Sequence, residues 1–189
     1  MTLTTDTGRL VLRHFRLEDA QDVYEACRNP ALGDNAGWKP HDDPAESARI
    51  IETVFGGDTI WAVTERGIDR VIGSVGLIPD QKRGNPLALM LGYWIGQEHW
   101  GKGYAQEAAR AVLSHGFSAM SANLISAYCY PDNLRSRNVL ERLGFEYEGY
   151  LHQAEIAYDG RVLDVLCFYL TSERYESIVA PGADRTGSR

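Results

Sequence analysis

One stretch constrains this chain more than any other: LALMLGYWIGQEHWGKGYAQEAARAVLSHGF, Leu87 to Phe117. Its first part, Leu87 to Ile95, is apolar and predicts a buried strand. Its last part carries Ala105, Ala108, Ala109, Val112 and Leu113 at spacings of three and four, which is one face of a helix. Between them lies a loop holding Trp100, Gly101, Lys102, Gly103, Tyr104 and Ala105. A strand that runs through a glycine-bearing loop straight into a helix makes an anion cradle. The first N–H groups of the helix have no internal partner, and the helix dipole adds partial positive charge there. Gly101 and Gly103 lack Cβ, so a bulky diphosphate can approach the backbone. On the glycines alone, a tight strand-to-helix turn explains the spacing equally well.

The surrounding residues decide between the two. Gly92-Tyr93-Trp94-Ile95 followed by Trp100-Gly101-Lys102-Gly103-Tyr104-Ala105 resembles the acetyl-CoA loop of the GNAT N-acetyltransferases, and within them the RimJ/RimL-like group. Gly103 and Ala105 fill the last two positions of the family pattern. Trp100 stands where Gln or Arg is usual. A second segment, PDNLRSRNVLERLGF from Pro131 to Phe145, resembles the Asn-x-x-Ser signature of the same family through Asn133 and Ser136. The opening RLVLRHFRLEDAQDVYEA and the hairpin EIAYDGRVLDVLCFYL are similar to the family's first and last segments, so the likeness covers roughly residues 8–175.

Composition is in keeping with this. With 189 residues, 44% hydrophobic and 24% charged, the chain predicts one domain over residues 1–180 with a sizeable core, and a disordered tail over 181–189. The net charge of −7 argues against nucleic-acid or anionic-membrane partners and is compatible with a cationic amine. Cys27, Cys129 and Cys167 have no metal-ligand spacing and read as reduced buried thiols, so no metal is expected. There is no signal peptide pattern and no run of membrane-spanning length, and the chain is expected to be cytoplasmic.

In order, the residues predict a loose start over 1–7, a strand at Arg9–Arg13, and a helix through Ala20, Val23 and Cys27 ended by Asn29-Pro30. A loop then runs from Ala31 to Asp42. A helix follows, capped by Asp43 with Pro44 at its first position and stopped by Gly56-Gly57. Two strands, Thr59–Val63 and Val71–Ile78, flank a turn at Glu65–Asp69. After the central strand and helix come a strand at Leu124–Tyr130 and a helix capped by Asp132 or Asn133 and stopped by Gly144. A hairpin turning at Asp159-Gly160 and a short helix near Ser172 complete the order. The order predicts an α/β (α+β) chain. The resemblance implies the GNAT fold: a mixed sheet of about seven strands flanked by helices, splayed between strands 4 and 5.

The resemblance further implies acetyl-CoA as co-substrate and transfer of acetyl to a primary amine, either a protein N-terminal α-amine or a small-molecule amine. The cofactor-binding set it implies is Trp94, Ile95, Gly101, Lys102, Gly103, Tyr104, Ala105, Asn133 and Ser136. The backbone N–H near Ile95 would polarise the thioester oxygen, and Ser136 would meet the departing thiolate. Many relatives instead carry a Tyr at the position of Leu140 and a carboxylate at the position of Met90; both are absent here. Lys102 reads as a charge at the diphosphate rim or as a solvated surface lysine, and Asn133 as a pantetheine contact or as a helix cap alone. Candidates on the acceptor side are Trp38, His41, Tyr128, Tyr130 and Glu155. Trp38 serves as a substrate wall or a core plug; Glu155 acts on the amine or pairs across its hairpin. A catalytically weak acyl-CoA-binding regulatory module is the alternative that Met90 and Leu140 keep open. An exposed hairpin edge is compatible with a homodimer.

Overall fold

The computed structural model describes residues 5–180. The expected tail over 181–189 and the first four residues of the expected loose start lie outside them. The strands are β1 (Thr5–Asp6), β2 (Leu10–Arg13), β3 (Ile60–Glu65), β4 (Ile68–Pro79), β5 (Ala88–Ile95), β6 (Leu124–Cys129), β7 (Glu146–Ile156) and β8 (Val162–Thr171). The helices are α1 (Ala20–Cys27), α2 (Pro30–Ala36), α3 (Pro44–Ile50), α4 (Tyr104–Ser118), α5 (Leu134–Arg142) and α6 (Ser172–Val179). One sheet runs in the order β1-β2-β3-β4-β5-β6-β8-β7. Only the β5–β6 pair among these is parallel.

The expected sheet is present with one strand more. Thr5 and Asp6, expected to be loose, pair with Leu12 and Val11. The splay falls where it was expected and is numbered β5–β6 here because β1 comes first. β5 and β6 pair only at Ala88↔Leu124, Leu89↔Ile125 and Met90↔Ser126, then part.

Alternation along β5 divides the molecule. Leu91 and Ile95 are buried, with Tyr93 packed beside them, in a cluster with Ala108, Val112 and Leu113 of α4 and Leu140 of α5. Trp94 points to the opposite face and joins Val23 and Cys27 of α1, Leu32 of α2 and Ile51, the residue after α3. Burying these side chains drives both faces at about 25 cal/mol per Å² of apolar surface.

Several predicted boundaries are corrected. Residues 31–42 are not all loop, because α2 occupies Pro30–Ala36. Asn29 Oδ1 caps it by accepting from Ala31 N at 3.0 Å, Pro30 sits in its first turn, and Gly37 ends it at φ 84°. A Cβ on Gly37 would also collide with the Tyr130 phenol. The Pro that ends one helix therefore starts the next. The Asp43 cap is present, accepting from Glu46 N at 2.7 Å, but the helix passes into a π turn over Ile51–Phe55 before Gly56. The β3–β4 turn is only Arg66-Gly67. The β7–β8 turn is longer than the two residues Asp159-Gly160, closing through Ala157 N to Arg161 O at 2.9 Å and Gly160 N to Ala157 O at 2.9 Å.

Candidate active site

The parted strands open a cleft of about 610 Å³. Gly96 N–H donates to Ile72 O at 2.8 Å, and β4 and β5 pair without a shift from Gly73↔Ile95 to Pro79↔Leu89. Alternation therefore turns the N–H groups of Tyr93 and Ile95 away from β4, toward the open side. Sheet hydrogen bonding on that side stops at Met90, so these donors face the cleft.

At one end the cleft meets the N-terminus of α4. No side chain caps that helix; Gly103 occupies the cap position at φ 79°, and Gly101 lies at φ 77°. Gly101, Gly103, Tyr104 and Ala105 all line the cleft. Their N–H groups have no acceptor among the described residues. The two left-handed glycines turn these N–H groups outward at the positive end of the helix dipole, which suits a diphosphate. Trp100 explains its own departure from the family pattern. Its indole Nε1 donates to Ile95 O at 2.6 Å and ties the loop back to the end of β5. The Arg135 guanidinium lies 3.8 Å above the same ring and brings a cation to the cleft.

Lys102 and Tyr104 turn their side chains away from the loop's N–H groups. The Lys102 side chain is not in the cleft wall; its carbonyl accepts from Arg9 Nη1 at 2.9 Å, and its ammonium is solvent-facing, as the surface alternative has it. The Tyr104 phenol donates to Glu65 at 2.6 Å, so its backbone is what it offers the loop.

Across the cleft, Asn133 caps α5 by accepting from Ser136 N at 3.1 Å. Its amide also donates to Asn35 O of α2 at 3.1 Å, so the cap is not its only contact. Ser136 lines the cleft, with Oγ 2.8 Å from the Tyr93 hydroxyl. Leu140 is fully buried in the core.

The acceptor-side candidates separate. Tyr128, Tyr130, Glu155 and Trp38 line the cleft beside Met90 and Lys82. Trp38 packs edge-on to Trp94 at 6.4 Å and also lines the cleft. Glu155 Oε2 accepts from the Tyr130 phenol at 3.1 Å, and Lys82 Nζ stands 3.5 Å from Glu155 Oε1. His41 is corrected: it does not line the cleft but is buried against Ser47 Oγ at 2.8 Å, and burial lowers its pKa. The hairpin tip closes the acceptor end, with Tyr158 and Arg161 each 3.3 Å from Asp34 of α2.

Asp80 was not foreseen. It is buried, and it accepts from Ser126 Oγ at 2.6 Å, Tyr128 at 2.8 Å and Lys82 N at 2.9 Å. Burial pushes its carboxyl up, but these donors and the Arg83 charge outweigh burial and hold it below the usual range. Burial and donation to Asp80 push the Tyr128 phenol up to about 12. A lone Asp in a polar connection carries no sequence signal of this kind. Arg135 was not foreseen either, and it lines the cleft between Asn133 and Ser136.

The GNAT acetyltransferase domain model matches residues 9–146. The chain belongs to the GNAT acetyltransferases. This GNAT protein is 32% identical over 178 residues to the uncharacterized N-acetyltransferase p20 of Bacillus licheniformis, covering 91% of this chain and 98% of that one. It is 39% identical over 156 residues to the ribosomal protein uS5-alanine N-acetyltransferase of Escherichia coli, covering 78% and 79%. That second similarity accords with the RimJ/RimL-like resemblance. A GNAT acetyltransferase from Bacillus anthracis superposes at a TM-score of 0.80 with 23% identity, over 90% of this chain and 99% of that one. The microcin C7 self-immunity acetyltransferase MccE, solved with acetyl-CoA and AMP, superposes at 0.74 with 21% identity, over 87% and 93%. These two likenesses bear on the fold. The protein is thus a GNAT N-acetyltransferase, and among its described residues no helix is long and apolar enough to cross a membrane.

Proposed function

We propose that this acetyltransferase moves the acetyl group of acetyl-CoA to a primary amine by direct attack in a ternary complex. The observation that carries the proposal is the uncapped N-terminus of α4, opening with Gly101 and Gly103 onto a cleft lined by two parted strands. In this reading the N–H groups from Gly101 to Ala105 hold the diphosphate, with Arg135 adding charge. The Tyr93 and Ile95 N–H groups hold the pantetheine arm and the thioester oxygen, and stabilise the oxyanion that forms there. Ser136 donates a hydrogen bond to the departing thiolate.

The amine enters from the Trp38, Tyr128, Tyr130 and Glu155 side. Glu155 is the carboxylate that faces an incoming ammonium, and Met90 offers none. An α-amine loses its proton near ~8 and a lysine near ~10.4. A site without a carboxylate on its central strand therefore suits an α-amine better. The uS5-alanine N-acetyltransferase of Escherichia coli, whose name states an alanine of a ribosomal protein as acceptor, is a similar protein and supports the same choice.

Calorimetric titration with acetyl-CoA and with CoA, followed by thiol release across small amines and N-terminal peptides, tests this. Submicromolar to micromolar binding and release on α-amines are expected. Binding of neither molecule would overturn the reading.

A further inference from the structure

Ser136 is given a demanding role in that reading, because a serine hydroxyl on a helix ordinarily turns its proton to a carbonyl one turn back. Something must turn it into the cleft instead. The Tyr93 phenol is placed to do so. Its oxygen lies 2.8 Å from Ser136 Oγ and 3.3 Å from Ser136 O, while Ser136 N–H is held by Asn133 Oδ1 at 3.1 Å. Backbone and side chain of Ser136 are thus fixed from two directions, by residues of β5 and of the α5 cap. A phenol is a much stronger acid than an alkyl alcohol, so the favoured polarity has Tyr93 donating and Ser136 Oγ accepting. The Ser136 proton is then free, and acceptance at its oxygen polarises it further. No phenol on α5 competes, since Leu140 is buried in the core. Burial pushes the Tyr93 phenol up, so it keeps its proton.

We propose that Tyr93 is the positioning residue of the transfer step, donating to Ser136 Oγ so that the Ser136 hydroxyl proton points at the leaving sulfur. The inference rests on the proposed meeting of Ser136 with the CoA thiolate. As the amine nitrogen bonds to the acyl carbon, the C–S bond breaks and its electron pair passes to sulfur. The Ser136 proton hydrogen-bonds that sulfur but stays on Ser136, and the phenolic proton stays on Tyr93. The proton shed by the amine goes to water.

An equilibrium measurement tests this without an acceptor. CoA and desulfo-CoA, which lacks the sulfur, are titrated calorimetrically between pH 7 and pH 9.5 into the wild type, Ser136→Ala, Tyr93→Phe and the double variant. A cysteine thiol ionises near ~8.5 in model peptides, and the simple alkyl thiol of CoA ionises above that. A donor on the thiolate makes the preference for CoA over desulfo-CoA grow with pH. Cys129 also acts on the Tyr93 phenol; burial holds its thiol up at about 11, and the desulfo-CoA reference subtracts it. Ser136→Ala should abolish the growth. Tyr93→Phe should cut it by about fivefold, the worth of one hydrogen bond, and the double variant should match Ser136→Ala. Difluorotyrosine at position 93, a stronger donor, should enlarge the growth, which a packing role would not do. An unchanged preference in Ser136→Ala would overturn the role of Ser136 itself. A loss in Ser136→Ala with wild-type behaviour in Tyr93→Phe and in the difluorotyrosine protein would overturn the role of Tyr93 alone.

Discussion

The Tyr128 phenol donates to Asp80 Oδ2 at 2.8 Å beside the point where β5 and β6 part. With Ser126 on the same oxygen at 2.6 Å, this carboxylate ties β6 to the residue that follows β4. Asp80→Ala leaves the buried Ser126 hydroxyl and the half-buried Tyr128 phenol without this acceptor and should cost about 2–4 kcal/mol. The sign of the pH dependence follows from the lowered Asp80 pKa. Unfolded, the carboxyl titrates near ~3.9; folded, it titrates lower. Its contribution is complete above the unfolded value and is lost as pH falls through the folded one. Urea midpoints measured from pH 6 downward should show a steeper acid limb in the wild type than in Asp80→Asn.

Arg13 grips Asp19 with two bonds, at 2.8 and 2.7 Å, and reaches Asp69 at 2.7 Å. Arg13 and Asp19 are both buried, so removing the guanidinium strands a carboxylate in the interior. Arg13→Ala should lose about 3–5 kcal/mol. Arg13 does not line the cleft, so acetyl-CoA affinity of the folded protein, measured by calorimetry at low temperature, should hold.

Gly103 carries φ 79° and has open space where a Cβ would sit, with only Arg9 Nη2 at 3.6 Å. Gly103→Val therefore has backbone strain of roughly 1–2 kcal/mol as its folding penalty, a fall of a few degrees in Tm. Its branched side chain would stand where the diphosphate is placed. Acetyl-CoA affinity should fall by about tenfold or more, that is by ~1.4 kcal/mol or more. Wild-type affinity with the lowered Tm would move the diphosphate away from this loop.

Glu155 is partly exposed and shared between Tyr130 and Lys82. Glu155→Gln should raise the amine KM by about fivefold, as expected for one solvent-accessible ion pair of ~1 kcal/mol, and should leave acetyl-CoA affinity unchanged. Steady-state kinetics with the acceptor identified in the amine panel measure both.

Local chemistry made much of the fold legible in the sequence. Asp43-Pro44 announces α3, and Asn133 with Gly144 brackets α5, because caps and stops are set by neighbours in the chain. The glycine-bearing turn into α4 was legible for the same reason: the role proposed for it lies in consecutive N–H groups. α2 was missed because PALGDNA is short and has a glycine in its middle. Gly33 is there for a tertiary reason, since a Cβ would come within 2.6 Å of Trp38 O. The pairing of Tyr93 with Ser136 and the burial of Asp80 against Ser126 and Tyr128 join residues about forty or more positions apart. No periodicity encodes such contacts. His41 misled because a histidine in a polar stretch looks titratable until its packing against Ser47 is seen.

The parting of β5 from β6 also has a thermodynamic side. Beyond Met90 the sheet forgoes its ladder on the β6 side, and the Tyr93 and Ile95 N–H groups await a partner that the unfolded chain cannot recruit. An extended amide-bearing arm laid along them behaves as a borrowed strand. It binds the native state alone, so it raises the unfolding free energy by RT ln(1 + [L]/Kd), about 2.7 kcal/mol at a hundredfold excess over Kd. For a chain of this length that is a rise of several degrees in Tm. The unfinished seam of the sheet is thus a built-in reporter. A melting curve alone can rank acyl chains and CoA fragments by how much of the missing ladder each one completes.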